Sequence, residues 1–501
     1  MNRFLALFLK QKESAFFVLA KAGSIQSKHD RLVIRHLRTK GRTTVVNQIH
    51  FIKSKLALGV VIGLAFASQT HAAEMSSIEF HGYFRAGVIS SVENDLKRSN
   101  FAGQKETLGR LGIEADNDYK ANLVSNWDFD DGRNFRINFG VGAKGKEAGL
   151  SSSADGFDAA ITNAFVELKG VSPTGTFWAG KREYGKSNNY IFMTDFFYTD
   201  MSGIGIGLTD LSLFGNEFDL AYIASDRYDE NTDRWEDSPA QVGNNATNLN
   251  NLLHAIHIGT SFDNLAVSAL LKAMPDNWDT QGKEWAETGF DLTLTYKMSS
   301  FFGLSGNGFS NIIAQAGKGL GAGNLLGGTI TDYNAYAPGS LAQGQHDDWG
   351  AAGDARQLLS KVEDDDTSAR LMLWGGYTFD NGVGFFPSIQ GQYNHMASGD
   401  ARSQSDYNYW LSAMTRMTVP VSSHFYVQGE VGYAYNNWGG SSWNQSKLTI
   451  APTFILPTSV GVNPEIRLLA SYLPKSWTNL NEVSGKPEDD FIVGFQADLW
   501  W

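Results

Sequence analysis

From Ala73 to the final Trp501 the chain alternates apolar and polar residues with a period of two. Ile78, Phe80, Phe84, Ala86 and Val88 alternate with Glu79, His81, Tyr83 and Arg85. Phe290, Leu292, Leu294 and Tyr296 alternate with Asp291, Thr293, Thr295 and Lys297. The last run sets Phe491, Val493, Phe495, Ala497 and Leu499 against Gln496, Asp498 and Trp500. Successive side chains of a strand point to opposite faces, so each run reads as a strand with one apolar and one wet face. Clusters of Gly, Asn, Asp and Ser separate the runs, as turns require. A soluble sandwich would give the same alternation. Two features favour a membrane barrel instead. The alternation reaches a C-terminal aromatic, and the connections fall into two classes: tight turns such as Phe379-Asp380-Asn381-Gly382, and long polar stretches such as 226–251 and 317–369. The expected fold is all-β, a single transmembrane antiparallel barrel over residues 73–501.

Composition removes several alternatives. Mean hydropathy is −0.25, and the longest apolar run, Leu56–Ala67, falls short of the roughly 20 residues of a spanning helix. A bundle of membrane helices is therefore excluded. With no cysteine there is no disulfide scaffold and no thiolate metal site. The net charge of −12 argues against a nucleic-acid partner, because neutralising phosphates takes clustered Lys and Arg.

That charge is an average over two unlike pieces. Residues 1–72 hold 12 Lys and Arg against 2 Asp and Glu, and the remainder holds 29 against 51. The basic piece ends in Lys53, Lys55, the run Leu56–Ala67, and Thr70 and Ala72 at small-residue cleavage positions. This is a signal-peptide pattern, with cleavage expected after Ala72. It exports the chain, a third feature in favour of a membrane barrel. The true start is expected well downstream of Met1, near Val45 or Val46 at a codon other than ATG.

Several anchors then become recognisable. They include Phe80-His81-Gly82-Tyr83-Phe84-Arg85, Gly109-Arg110-Leu111-Gly112, Trp178-Ala179-Gly180-Lys181-Arg182-Glu183-Tyr184 and Asp195-Phe196-Phe197-Tyr198. Gly317-Lys318-Gly319, Pro464-Glu465-Ile466-Arg467 and Leu499-Trp500-Trp501 complete the set. On these residues the chain resembles the maltoporin family of sugar-specific outer-membrane porins. The resemblance implies eighteen strands, an inward-folded constriction loop, a homotrimer in the Gram-negative outer membrane, and no enzymatic activity. It also implies a channel with a row of aromatics for sugar rings, flanked by charged residues for the hydroxyls.

A pyranose has an apolar face and a polar rim, so aromatics beside charged groups suit it. Matching the family motifs residue by residue gives Tyr83, Tyr119, Trp500 and Phe197 as aromatic contacts. It gives Arg85, Arg110, Lys186 and Asp195 as polar contacts. Tyr83, Arg85 and Trp500 also fall on the wet face by periodicity. Tyr119 is one residue displaced in its match. Phe197 stands where the family typically has tyrosine, with Tyr198 as a possible substitute. Lys186 stands at an arginine position and is a poorer bidentate donor. Asn188, Thr162, Gly461 and Phe157 are further departures, with Phe454 as a possible stand-in for a missing tryptophan. These departures leave a sugar porin while loosening the match to maltodextrin.

Other chemistry finds little support. His254 and His257 would face opposite sides of a strand, so no metal pair is expected. Asp128–Gly132 and Glu363–Asp366 read as solvated turns, the second a possible cation bridge to lipopolysaccharide. The 317–328 stretch reads as a flexible glycine loop without phosphate-loop features. No cofactor is expected. The expected function is passive diffusion of maltodextrins or related oligosaccharides. The alternative is a general pore that prefers cations, since the mature chain is acidic. The long loops could also serve as a phage receptor.

Overall fold

The structure is a computed structural model. It describes residues 73–98, 105–114, 117–145, 157–187, 189–226, 252–275, 284–328, 362–397, 406–438, 441–456, 464–476 and 488–501. The chain divides into two units, Met1–Thr70 and His71–Trp501, and the described residues belong to the second. The leader, the expected cleavage site and most of 226–251 lie outside them.

In chain order the elements are β1 (Ala73–Ser91), β2 (Lys97–Arg98), α1 (Lys105–Leu108), β3 (Asn117–Phe129), β4 (Asn134–Gly145), β5 (Phe157–Lys169) and β6 (Thr176–Arg182). Next come β7 (Tyr190–Ile191), β8 (Phe196–Phe197), β9 (Gly203–Leu213), β10 (Asn216–Asp226), β11 (Leu252–Phe262), β12 (Leu265–Ala273), β13 (Thr288–Met298) and β14 (Asn307–Gly319). Last are β15 (Thr367–Thr378), β16 (Gly384–His395), β17 (Tyr407–Ser422), β18 (Phe425–Trp438), β19 (Ser441–Ile455), β20 (Glu465–Ser476) and β21 (Glu488–Trp500). All long strands pair antiparallel with their neighbours, and β21 returns to pair with β1. Leaving out the short pieces β2, β7 and β8, this is a closed barrel of 18 strands. Closure leaves no unpaired strand edge, the condition for crossing lipid with strands.

The faces are inverted relative to a soluble protein. Phe80, Leu123, Leu371 and Ile450 lie exposed on the outside, while Arg85, Glu430, Gln390 and Thr449 are buried inside. Tight turns collect at one end. Phe214 and Gly215, at φ 54° and 83°, make the mirror-image turn that matches strand twist. The connections at the other end are mostly longer, 439–440 between β18 and β19 excepted.

Among the described residues, parts of three of those longer connections fold into the lumen. The 105–114 segment packs Leu108, Leu111 and Ile113 against Ala434, Ala451 and Leu469 of the wall. A Cβ on Gly432 would stand 2.1 Å from the Leu108 carbonyl oxygen, so only glycine lets α1 approach. The 183–202 segment carries β7 and β8, and sets Ile191, Met193 and Tyr198 against Ile313, Met372 and Met414. The third contradicts the expected flexible loop. Strand β14 runs to Gly319, and Leu320, Ala322 and Leu325 are then buried against Trp178, Ile223, Leu253 and Leu270. Lys272 donates to the Leu325 carbonyl at 2.6 Å and pairs with Asp291 at 2.8 Å. Asp366 also departs from a solvated turn. It is buried, and accepts from the Ala397 amide at 2.7 Å and the Glu363 amide at 2.9 Å.

Candidate functional site

Between the inward segments and the wall lies a cavity of about 1420 Å³. One side is an arc of wall drawn from strands on both sides of β19. Cross-strand register carries it from Phe386 to its partner Arg416, and from Glu465 to Asp498. It continues through Tyr83, whose partner on β21 is Trp500 and whose partner on β3 is Lys120. All seven of these residues line the cavity. The facing side is built by Lys105 and Arg110 of one inward segment and by Glu183, Lys186, Tyr190, Phe192, Asp195 and Phe197 of another.

Tyr83 and Trp500 are cross-strand neighbours because both occupy wet-face positions of the first and last strands. The Tyr83 hydroxyl accepts from Arg85 Nη1 at 2.8 Å and Arg110 Nη2 at 3.0 Å. Two charged donors therefore fix the hydroxyl in place. Phe197 lies against Tyr190 at 4.5 Å between ring centroids, with Lys186 Nζ 5.3 Å from the Phe197 centroid.

Arg110 links the two inward segments. Its amide donates to the Met193 carbonyl at 2.8 Å, its Nη1 reaches the Tyr190 hydroxyl at 3.0 Å, and its Nε pairs with Glu114 at 2.7 Å. Asp195 accepts from Lys105 at 2.7 Å and from the Tyr190 hydroxyl at 2.9 Å. Burial pushes the Asp195 carboxyl up. Arg110, Lys105 and Arg85 outweigh that and hold it well below the usual carboxylate range. Burial likewise opposes the charge of Lys186, but Asp200 and Glu183 raise it above an ordinary lysine. Asp195 and Lys186 are therefore both ionised at neutral pH.

Every lining cation among the described residues has a carboxylate partner. Lys105 pairs with Asp195 and Glu114, Lys120 with Glu183 at 3.4 Å, and Lys186 with Asp200 at 3.1 Å. Arg416 pairs with Glu430 at 2.6 Å and Arg467 with Asp498 at 2.9 Å. The passage is thus a lattice of opposed charges rather than a field of one sign.

Tyr83, Trp500, Phe197, Arg110, Lys186 and Asp195 all border this cavity. Two expected residues do not. Tyr119 pairs with Phe84 and Ala143 in the register, on the outer face, while its neighbours Asp118 and Lys120 face inward. The one-residue displacement in its motif match reversed the face. Arg85 does face inward but is 1% exposed. The 105–114 segment covers it through Glu114, whose Oε1 lies 3.2 Å from Arg85 Nη1. Two suggested substitutes also fail. Tyr198 is buried under the constriction, and Phe454 is half exposed on the outside against Phe425. Thr162 borders the cavity, whereas Asn188, Gly461 and the Phe157 side chain lie outside the described residues.

Sequence reading missed Lys105, Tyr190, Phe192, Phe386, Arg416 and Tyr426. For Phe386 and Tyr426 a signal existed: each is an aromatic at a wet-face position of a barrel strand. The other four had none, because an irregular loop has no period to show which side chains point inward, and an arginine on a wet face is ordinary.

The outward apolar belt, closed barrel and constricted lumen define an outer-membrane porin. A family model described as LamB porin matches residues 78–501, and the chain belongs to that family of channels, which are not enzymes. Maltoporin 1 of Klebsiella pneumoniae subsp. pneumoniae is 27% identical over 486 residues, covering 89% of this chain and 97% of that one. The maltoporin of Photobacterium profundum is 25% identical over 475 residues, covering 90% and 99%. Among solved structures, OccAB1 of Acinetobacter baumannii aligns over 87% of this chain and 99% of that one, at 11% identity and TM-score 0.47. The chain is a porin of the Gram-negative outer membrane.

Proposed function

We propose that this porin passes maltodextrins or closely related oligosaccharides by facilitated, passive diffusion. The observation that carries the reading is the pairing of aromatic faces with opposed charges along one passage. Tyr83, Trp500 and Phe197 offer apolar surface to sugar rings. Arg110, Lys186 and Asp195 offer both donors and acceptors to hydroxyls. Each contact has a neighbour of similar kind, so a sugar exchanges one set for the next without a trap, as conduction requires. The charge pairing also argues against a general cation pore. The acidic excess of the mature chain does not collect at the constriction, where seven lining carboxylates among the described residues face six Lys and Arg.

The test is planar-bilayer recording with a panel of glucans and disaccharides. Millimolar maltodextrin is expected to block ion current reversibly, with longer chains blocking at lower concentration. Current indifferent to every sugar in the panel would refute the reading. We also propose that it assembles as a homotrimer, as its resemblance to the maltoporins implies.

A further inference from the structure

Lys105 was invisible as a site in the sequence, yet it stands where two inward segments meet. It opens α1, its side chain is 15% exposed, and it borders the cavity. Its Nζ donates to Glu114 Oε1 at 2.9 Å and to Asp195 Oδ2 at 2.7 Å. Glu114 already pairs with Arg85 at 3.2 Å and with Arg110 at 2.7 Å. Asp195 has Lys105 as its closest cationic contact, alongside the neutral Tyr190 hydroxyl. Asp195 also sits in the left-handed region, at φ 55°, a conformation that aspartate adopts more readily than most non-glycine residues. The carboxylate is therefore held at the constriction, and the ammonium of Lys105 is the charge in direct contact with it, backed by Arg110 and Arg85.

We propose that Lys105 is a selectivity residue of the constriction: by neutralising Asp195 it keeps the passage from favouring cations. The residue acts on whatever ion shares the passage with the sugar. The proposal rests on the sugar-channel reading only in taking this cavity as the conducting path. Without the lysine charge, Asp195 would present a net negative site a few ångströms from a permeating ion. In a wet passage, one unit charge at that range changes the cation-to-anion permeability ratio about three- to five-fold.

The chain has no cysteine, so Lys105→Cys places one addressable thiol in the pore. The measurement is reversal potential across a KCl gradient, on channels already open in a bilayer. Lys105→Cys is expected to raise the potassium-to-chloride permeability ratio about three- to five-fold. A cationic methanethiosulfonate, which forms a mixed disulfide and releases methanesulfinate, should return the ratio towards wild type. An anionic reagent should raise it further. Identical reversal potentials for the thiol, the cationic adduct and the anionic adduct would overturn the proposal. If Lys105→Cys yields no channels, Asp195→Asn decides: it should shift the ratio towards chloride, and no shift overturns the idea. Sugar block of the wild type is scored separately. Its absence would remove the sugar reading and leave the reversal-potential series to judge Lys105.

Discussion

Lys447→Met is expected to release the 105–114 segment from the barrel wall and to lower the stability of its docking by about 3–5 kcal/mol, the range seen when one member of a buried ion pair is removed. The Lys447 ammonium is fully buried and spends its three donors on the Gly109 carbonyl at 2.6 Å, the Leu111 carbonyl at 2.7 Å and Glu430 at 2.6 Å. Glu430 in turn accepts from the Leu111 amide at 3.0 Å and from Arg416 at 2.6 Å. Methionine fills similar volume but supplies none of these bonds. Two backbone carbonyls of the segment then lose this donor inside the barrel. Because Arg110 and Lys105 ride on that segment, the constriction loses its inner side with it. Single-channel recordings should show higher conductance and a noisier open state. Thermal unfolding in detergent should show a lowered midpoint. A variant matching wild type in conductance, noise and midpoint would show that the apolar contacts and the bonds from Gln390, Ser412, Thr449 and Ser471 hold the segment without this ammonium.

Trp500→Ala is expected to raise the half-blocking maltodextrin concentration about ten-fold, the equivalent of ~1.4 kcal/mol. Trp500 borders the cavity and is 41% exposed, so its ring is available rather than consumed by packing. Its backbone pairing with Tyr83 does not depend on the side chain, and the barrel should close normally. Ion conductance without sugar should therefore stay close to wild type or rise slightly. The comparison is current titration with one maltodextrin across both proteins. An unchanged half-blocking concentration would remove Trp500 from the sugar path.

The barrel was legible because a strand writes its two faces into alternate residues, and Tyr83 and Trp500 were legible for the same reason. Periodicity stops helping wherever the chain leaves the sheet. No periodicity in Lys105–Glu114 or in the glycine-rich 319–328 stretch signals that it enters the lumen; only the family match at Arg110 pointed there. That depends on wall partners far away in the chain: Gly432 and Lys447, more than 300 residues from the first segment, and Lys272, 53 residues from Leu325. The same gap explains Arg85. Its face could be read from the strand, but its cover comes from Glu114, across a long connection. Tyr119 shows the converse limit: a motif match displaced by one residue places a side chain on the opposite face, so only register could settle it. Phe386 and Tyr426 were overlooked although their wet-face positions were in plain view.

The pairing of Tyr83 with Trp500 has a consequence for assembly. These two side chains come from the first and last barrel strands, and they become neighbours only when the seam between β1 and β21 zips. A nascent barrel with seventeen seams made and one still open would possess most of its wall yet lack this part of the aromatic strip. On the proposed function, sugar block would then be absent from insertion intermediates and present only in the sealed cylinder. In refolding experiments the recovery of sugar block should lag behind the appearance of strand structure.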